Sequence, residues 1–75
     1  MYKRLKELRL KNNLTQQNIS KKLKISQGLY SSYESGKRKV PIYILSKLAE
    51  EYNTSIDYII GETDLIIPHK RNTSI

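Results

Sequence analysis

Residues 14–39 read LTQQNISKKLKISQGLYSSYESGKRK, and two helix starts sit inside this stretch. Thr15 is a good N-cap, since its hydroxyl can accept from a free amide of the turn that follows, and Ile19 with Leu23 then makes an i, i+4 apolar stripe. Asn18 stands where Glu or Gln would reach back to the cap, so the capping box is expected to be incomplete. The stripe stops near Lys24, Ile25 and Ser26 interrupt it, and Ser26 caps a third helix beginning at Gln27. So brief a connection suits two short helices crossing steeply at a sharp turn. In the third helix Tyr30 and Tyr33 share one face, while Gln27, Gly28, Ser31 and Ser32 lie on the others. Surface helices favour long charged side chains that cover the backbone, and this one is nearly bare, which lets another molecule approach closely. Ser35 and Gly36 end it, with Gly36 suited to a left-handed terminal position. Lys37, Arg38 and Lys39 follow, placed both to satisfy the helix dipole and to grip phosphates.

Outward from that stretch the pattern remains helical. Tyr2, Leu5, Leu8 and Arg9 recur at helical spacing, and Asn12 and Asn13 suit the stop. Arg9 stands on the apolar edge, where its stem can pack while its guanidinium needs an acidic partner. Pro41 opens a fourth helix whose apolar positions are Ile42, Leu45, Leu48, Ala49 and Tyr52. Ser55 caps a fifth, with Asp57 in its positive first turn, Ile56, Ile59 and Ile60 as its apolar side, and Gly61 as its stop. The expectation is an all-α, five-helix domain over residues 1–64, followed by a tail over 65–75 in which Leu65, Ile66 and Ile67 form a short extended piece and the last residues fray.

Composition narrows the function. Seventy-five residues hold one domain, not two, and exclude a second catalytic lobe. The longest apolar run, residues 40–45, is far short of the ~20 residues that cross a bilayer, and no charged-then-apolar leader precedes it, so a soluble, unsecreted, cytoplasmic protein is expected. With no cysteine and a single histidine, His69, neither a disulfide framework nor a zinc site is expected, and no cofactor or small-molecule ligand is implied. No serine or threonine has a base at a recognisable spacing and the acids are scattered, which argues against an enzyme. The net charge is +7, but residues 1–39 hold eleven Lys or Arg against Glu7 and Glu34, whereas residues 40–75 hold three against five acids. The basic half is a candidate surface for a polyanion; a lysine-rich composition that merely keeps a small protein in solution is the plain alternative. Of the six tyrosines, Tyr2, Tyr30, Tyr33 and Tyr52 fall on expected core stripes, while Tyr43 and Tyr58 lie off them. Packing therefore explains the tyrosines better than a stacking platform for single strands.

The same residues, in order, resemble the helix-turn-helix of the phage repressor and Cro-like (XRE-type) family of bacterial DNA-binding regulators. The likeness rests on the Leu-Thr-Gln opening at residues 14–16, the Ser-Gln start at 26–27, the Tyr-Glu-Ser-Gly close at 33–36 and the basic triplet, and it extends from Tyr2 to about Asp64. It implies a lambda-repressor-like bundle of five helices, with the third in the major groove of a double-stranded DNA operator and with homodimers reading paired half-sites. It also implies a transcriptional regulator, most simply a repressor that occludes a promoter. Helix five and residues 65–67 are the candidate dimer contact, the alternative for residues 65–67 being that they fold back onto their own domain. A second reading keeps the fold but makes it a protein-interaction module, an antitoxin-like partner or adaptor.

Carried across by position, the resemblance assigns base reading chiefly to Gln27, Gly28 and Ser32, with Ser26, Leu29 and Ser31 beside them. The Gln27 carboxamide can pair with adenine in one plane, and such bidentate pairs discriminate by ~1–3 kcal/mol. Gly28 offers no side chain but permits close backbone approach, and Leu29 can meet a thymine methyl. Phosphate contacts fall to Thr15 and Gln16 at the start of helix two and to Ser35, Lys37, Arg38 and Lys39 beyond helix three. Arg9 matches a family arginine that pairs with the glutamate matching Glu34, which supplies the acidic partner. Four positions depart from the family. Lys24 stands where glycine is common in the turn, which implies a left-handed lysine or a different turn; Ser20 replaces alanine at the crossing; and Tyr30 and Tyr33 occupy core positions where each phenol must find a partner or water. So few long side chains on helix three leave more of the binding to phosphate contacts and DNA shape.

Overall fold

Among the described residues, five have positive φ: Asn13 (58°), Lys24 (60°), Gly36 (83°), Asn53 (54°) and Gly61 (89°). Each sits just past a helix, and the amide after it reaches back to the carbonyl five residues earlier. These bonds run from Leu14 to Arg9 (3.0 Å), Ile25 to Ser20 (3.0 Å), Lys37 to Ser32 (2.9 Å), Thr54 to Ala49 (2.8 Å) and Glu62 to Asp57 (2.8 Å). This six-to-one closure satisfies carbonyls that a helix end leaves bare and turns the chain within a few residues. The computed structural model describes residues 2–66, and the helices so closed are α1 (Lys3–Lys11), α2 (Gln16–Leu23), α3 (Gln27–Ser35), α4 (Ile42–Glu51) and α5 (Ile56–Ile60). There is no strand among the described residues. Ile67, His69 and the rest of the expected tail lie outside them.

The helix starts are set by hydroxyls. Ser26 accepts from the Leu29 amide and Ser55 from the Tyr58 amide, each at 3.0 Å. Thr15 accepts from the Asn18 amide at 3.0 Å, and the Asn18 side-chain oxygen accepts from the Thr15 amide at 3.2 Å. The capping box expected to fail is therefore complete, because the shorter asparagine still spans the single turn back to the cap. Only the start of α4, after Pro41, and that of α1, after Tyr2, lack a side-chain cap.

The core gathers Leu5 and Leu8 of α1, Ile19 and Leu23 of α2, Tyr30 and Tyr33 of α3, Ile44, Leu45, Leu48 and Ala49 of α4, and Ile59 of α5, with Val40 and Tyr52 between them. Two expected core positions do not join it. Ile42 is 70% exposed and Ile44 takes its place, because Ile42 lies in the first turn of α4 at the edge of the stripe. Ile60, the last residue of α5, is 43% exposed while Ile59 is buried. Ser20 is buried at the crossing of α2 and α3, its hydroxyl donating to the Gln17 carbonyl (2.9 Å), so the substitution for alanine leaves no unpaired polar group. Lys24 does adopt the left-handed conformation.

Arg4 fastens α1 to α5 and the segment that follows it. Its guanidinium donates to the carbonyls of Tyr58 (2.8 Å) and Thr63 (2.6 Å) and to Asp64 Oδ1 (2.6 Å), and lies 4.1 Å from the Tyr58 ring centroid. Thr54 donates to the Ile66 carbonyl, and Ile66 packs on the core, while Leu65 stays exposed. Among the described residues no helix is long and apolar enough to cross a membrane.

Candidate nucleic-acid interface

The last turn of α3 is held by a carboxylate that serves three helices. Glu34 Oε2 accepts from Arg9 Nε of α1 at 2.6 Å, and Glu34 Oε1 accepts from Gln16 Nε2, the first residue of α2, at 3.0 Å. Arg9 Nη1 also donates to the Leu14 carbonyl (3.0 Å) in the turn between those helices. The side chains of Arg9 and Glu34 are only 10% and 7% exposed. Burial pushes the Glu34 carboxyl up, but hydrogen bonds from Arg9, Gln16 and Tyr30 and the charge of Arg9 outweigh it, so its pKa falls below the ordinary carboxylate value. The hydrogen bond to Glu34 outweighs desolvation for Arg9 and holds its pKa above the usual value. One step deeper, the Tyr30 and Tyr52 hydroxyls meet at 2.7 Å and tie α3 to the end of α4. Burial, with this bond, pushes the Tyr30 phenol far up, and burial pushes Tyr52 up to about 12. Among the described residues no buried side-chain nitrogen or oxygen lacks a partner.

This internal lattice fixes α3 by its inner face and leaves the outer one free. Ser26, Gln27 and Gly28 are exposed, and Leu29, Ser31 and Ser32 are half-buried. Leu29 leans on the core, which reduces the apolar surface it offers outward. A β-carbon added at Gly28 meets nothing within 4 Å, so the glycine is not demanded by the fold. The Ser32 hydroxyl donates to the Leu29 carbonyl (2.6 Å) and the Ser35 hydroxyl to the Ser32 carbonyl (3.2 Å), which draws both side chains against their own helix.

Lys37, Arg38 and Lys39 are exposed and form no ion pair among the described residues. The backbone of the first two is pinned to α3, since the amides of Lys37 (2.9 Å) and Arg38 (3.3 Å) both donate to the Ser32 carbonyl. The sequence-predicted base-reading and phosphate residues thus lie on one helix and the loop that leaves it. Two other candidates are already engaged: Thr15 spends its hydroxyl oxygen on the cap, and Gln16 spends one amide hydrogen on Glu34. Two cations of the basic half are structural, Arg4 and Arg9, and Lys22 lies 3.7 Å from Glu51. Sequence reasoning missed Arg4, whose partners are mainly backbone carbonyls more than fifty residues away, and it missed that Gln16 completes the Arg9–Glu34 pair.

Five short helices with a left-handed turn between the second and third, a bare third helix and a cation triplet beside it define a helix-turn-helix domain. The helix-turn-helix family matches residues 5–59, and the chain belongs to that family, of the phage repressor and Cro type. Among curated proteins of Bacillus subtilis (strain 168), it is 39% identical over 61 residues to the uncharacterized HTH-type transcriptional regulator YobD, covering 81% of this chain and 54% of that one. It is 40% identical over 63 residues to the HTH-type transcriptional regulator ImmR (84% and 50% covered) and 38% identical over 58 residues to the HTH-type transcriptional regulator AnsR (77% and 50%). The chain spans about half the length of these relatives. No solved structure is a significant match.

Proposed function

We propose that this chain binds duplex DNA sequence-specifically, with α3 in the major groove, and regulates transcription by occluding a promoter. The observation that carries the reading is the side-chain-poor outer face of α3 with a cation triplet at its end that forms no ion pair among the described residues. A cylinder without long side chains fits the major groove with its backbone close to the bases, and the cations meet the flanking phosphates. Gln27 reads a base edge through its free carboxamide, with Ser26, Gly28, Leu29, Ser31 and Ser32 lining the groove beside it. Lys37, Arg38 and Lys39 hold the backbone on one side, and the start of α2 at Thr15 and Gln16 holds it on the other. Exposed Ile60 (43%) and Leu65 (66%) leave apolar surface around α5 that a second copy covers, giving a homodimer on paired half-sites. A regulator of this bacterial family acts in the cytoplasm, where bacterial DNA lies.

Selection from a random duplex pool at several salt concentrations tests the reading. A regulator enriches one sequence, and its log K falls against log salt with a slope of about −4 to −5 per subunit if about five phosphates are neutralised. A protein-interaction module on the same fold binds every duplex alike or none, and either result overturns the proposal.

A further inference from the structure

The serine hydroxyls on α3 have a direction as well as a position. The Ser32 hydroxyl oxygen lies 2.6 Å from the Leu29 carbonyl oxygen, well inside bonding range, and since a carbonyl only accepts, the hydroxyl is the donor. What remains outward on the Ser32 oxygen is lone pairs, so this side chain presents an acceptor. Ser35 repeats the arrangement toward the Ser32 carbonyl at the longer distance of 3.2 Å, and its exposed hydroxyl stays free to turn toward a phosphate. Gly28 lies one turn before Ser32 on the same face, and the space where its β-carbon would sit is open. The helix can therefore seat closely enough there for a short serine to touch a base edge.

We infer that Ser32 is a specificity residue that selects a base amino group, cytosine N4 or adenine N6, over the keto groups guanine O6 and thymine O4, because its hydroxyl hydrogen is held by the Leu29 carbonyl. Within the major groove only those two amines donate. A keto oxygen at the same place faces a lone pair, and accommodating it means breaking the intrahelical bond. The inference rests on the placement of α3 in the major groove proposed above, and it deepens that placement by naming the chemical group that Ser32 meets.

The test uses the full chain and a duplex selected by it. Ser32→Ala relaxes selection at one base pair and leaves the others unchanged. Replacing the base at that pair by an analogue lacking the amine, purine for adenine or 2-pyrimidinone for cytosine, weakens the unmodified protein about three- to tenfold. Ser32→Ala is indifferent to the analogue, and Ser32→Thr, which keeps the hydroxyl and its back-bond, keeps the sensitivity to the analogue whatever its added methyl does to overall affinity. Two results overturn the inference: Ser32→Ala selecting every position as before, or sensitivity tracking removal of a keto oxygen instead of the amine. Gln27→Ala, run in parallel, separates the two levels. If it relaxes a base pair while Ser32→Ala does not, only the Ser32 assignment fails; if neither variant alters selection of a tightly bound duplex, the groove placement of α3 fails with it.

Discussion

Replacing Arg9 by methionine keeps the aliphatic stem but strips Glu34 of its shortest hydrogen bond, 2.6 Å, and of the charge that offsets its burial. The two side chains are 10% and 7% exposed, so solvent screens the loss only weakly, and a stranded buried carboxylate of this kind costs ~3–5 kcal/mol. The Leu14 carbonyl loses its donor in the same substitution. A domain of this length has about 4–11 kcal/mol of stability in all, so Arg9→Met lowers the melting temperature by on the order of 20 °C. The pH dependence carries the sign. Glu34 has a folded pKa below its ordinary value, so its contribution is present above that ordinary value and is lost as pH falls through the folded one. Without Arg9 the carboxyl moves up and accepts a proton sooner, so the gap between the two proteins narrows on acidification. Urea unfolding at pH 7, 5.5 and 4 measures both quantities. A penalty under about 1 kcal/mol, or a gap that does not change with pH, would refute the role assigned to the pair.

Three further perturbations separate folding from binding. Gly28→Ala stabilises the free domain by up to about 1 kcal/mol, because the added methyl meets nothing within 4 Å, yet weakens operator binding by crowding the groove; thermal melts and duplex titrations together check it. Lys24→Gly removes a β-carbon from a left-handed residue and raises stability by up to about 1 kcal/mol in the same melts, with DNA selection unchanged. Arg4→Met breaks bonds to Tyr58, Thr63 and Asp64, so hydrogen exchange quickens in residues 62–66 while the amides of α3 keep their protection.

What was legible in the sequence were features whose cause is local. Ser26, Ser55 and Gly36 mark helix ends through bonds spanning a few residues, and a chain reader can place them. The need of Arg9 for an acid was visible from its place on an apolar edge, and Glu34 meets it across twenty-five residues. The exposure of Ile42 was not visible, because the period of α4 admits both Ile42 and Ile44 near the stripe and only the neighbouring helices decide between them. Nor was the grip of Arg4 on Tyr58 and Thr63, since backbone carbonyls carry no sequence signature. The outer face of α3 was read from its lack of long side chains, whereas the orientation of the Ser32 hydroxyl emerges only from the geometry of the turn.

Titrating the isotope-labelled protein with its selected duplex and following backbone amide shifts tests the placement of α3 most directly. The largest changes are expected at residues 26–32 and 37–39, with lesser ones at 15–17 and none around buried Tyr52 at the end of α4. Changes confined to α5 and the second half of α4, with α3 silent, would contradict it.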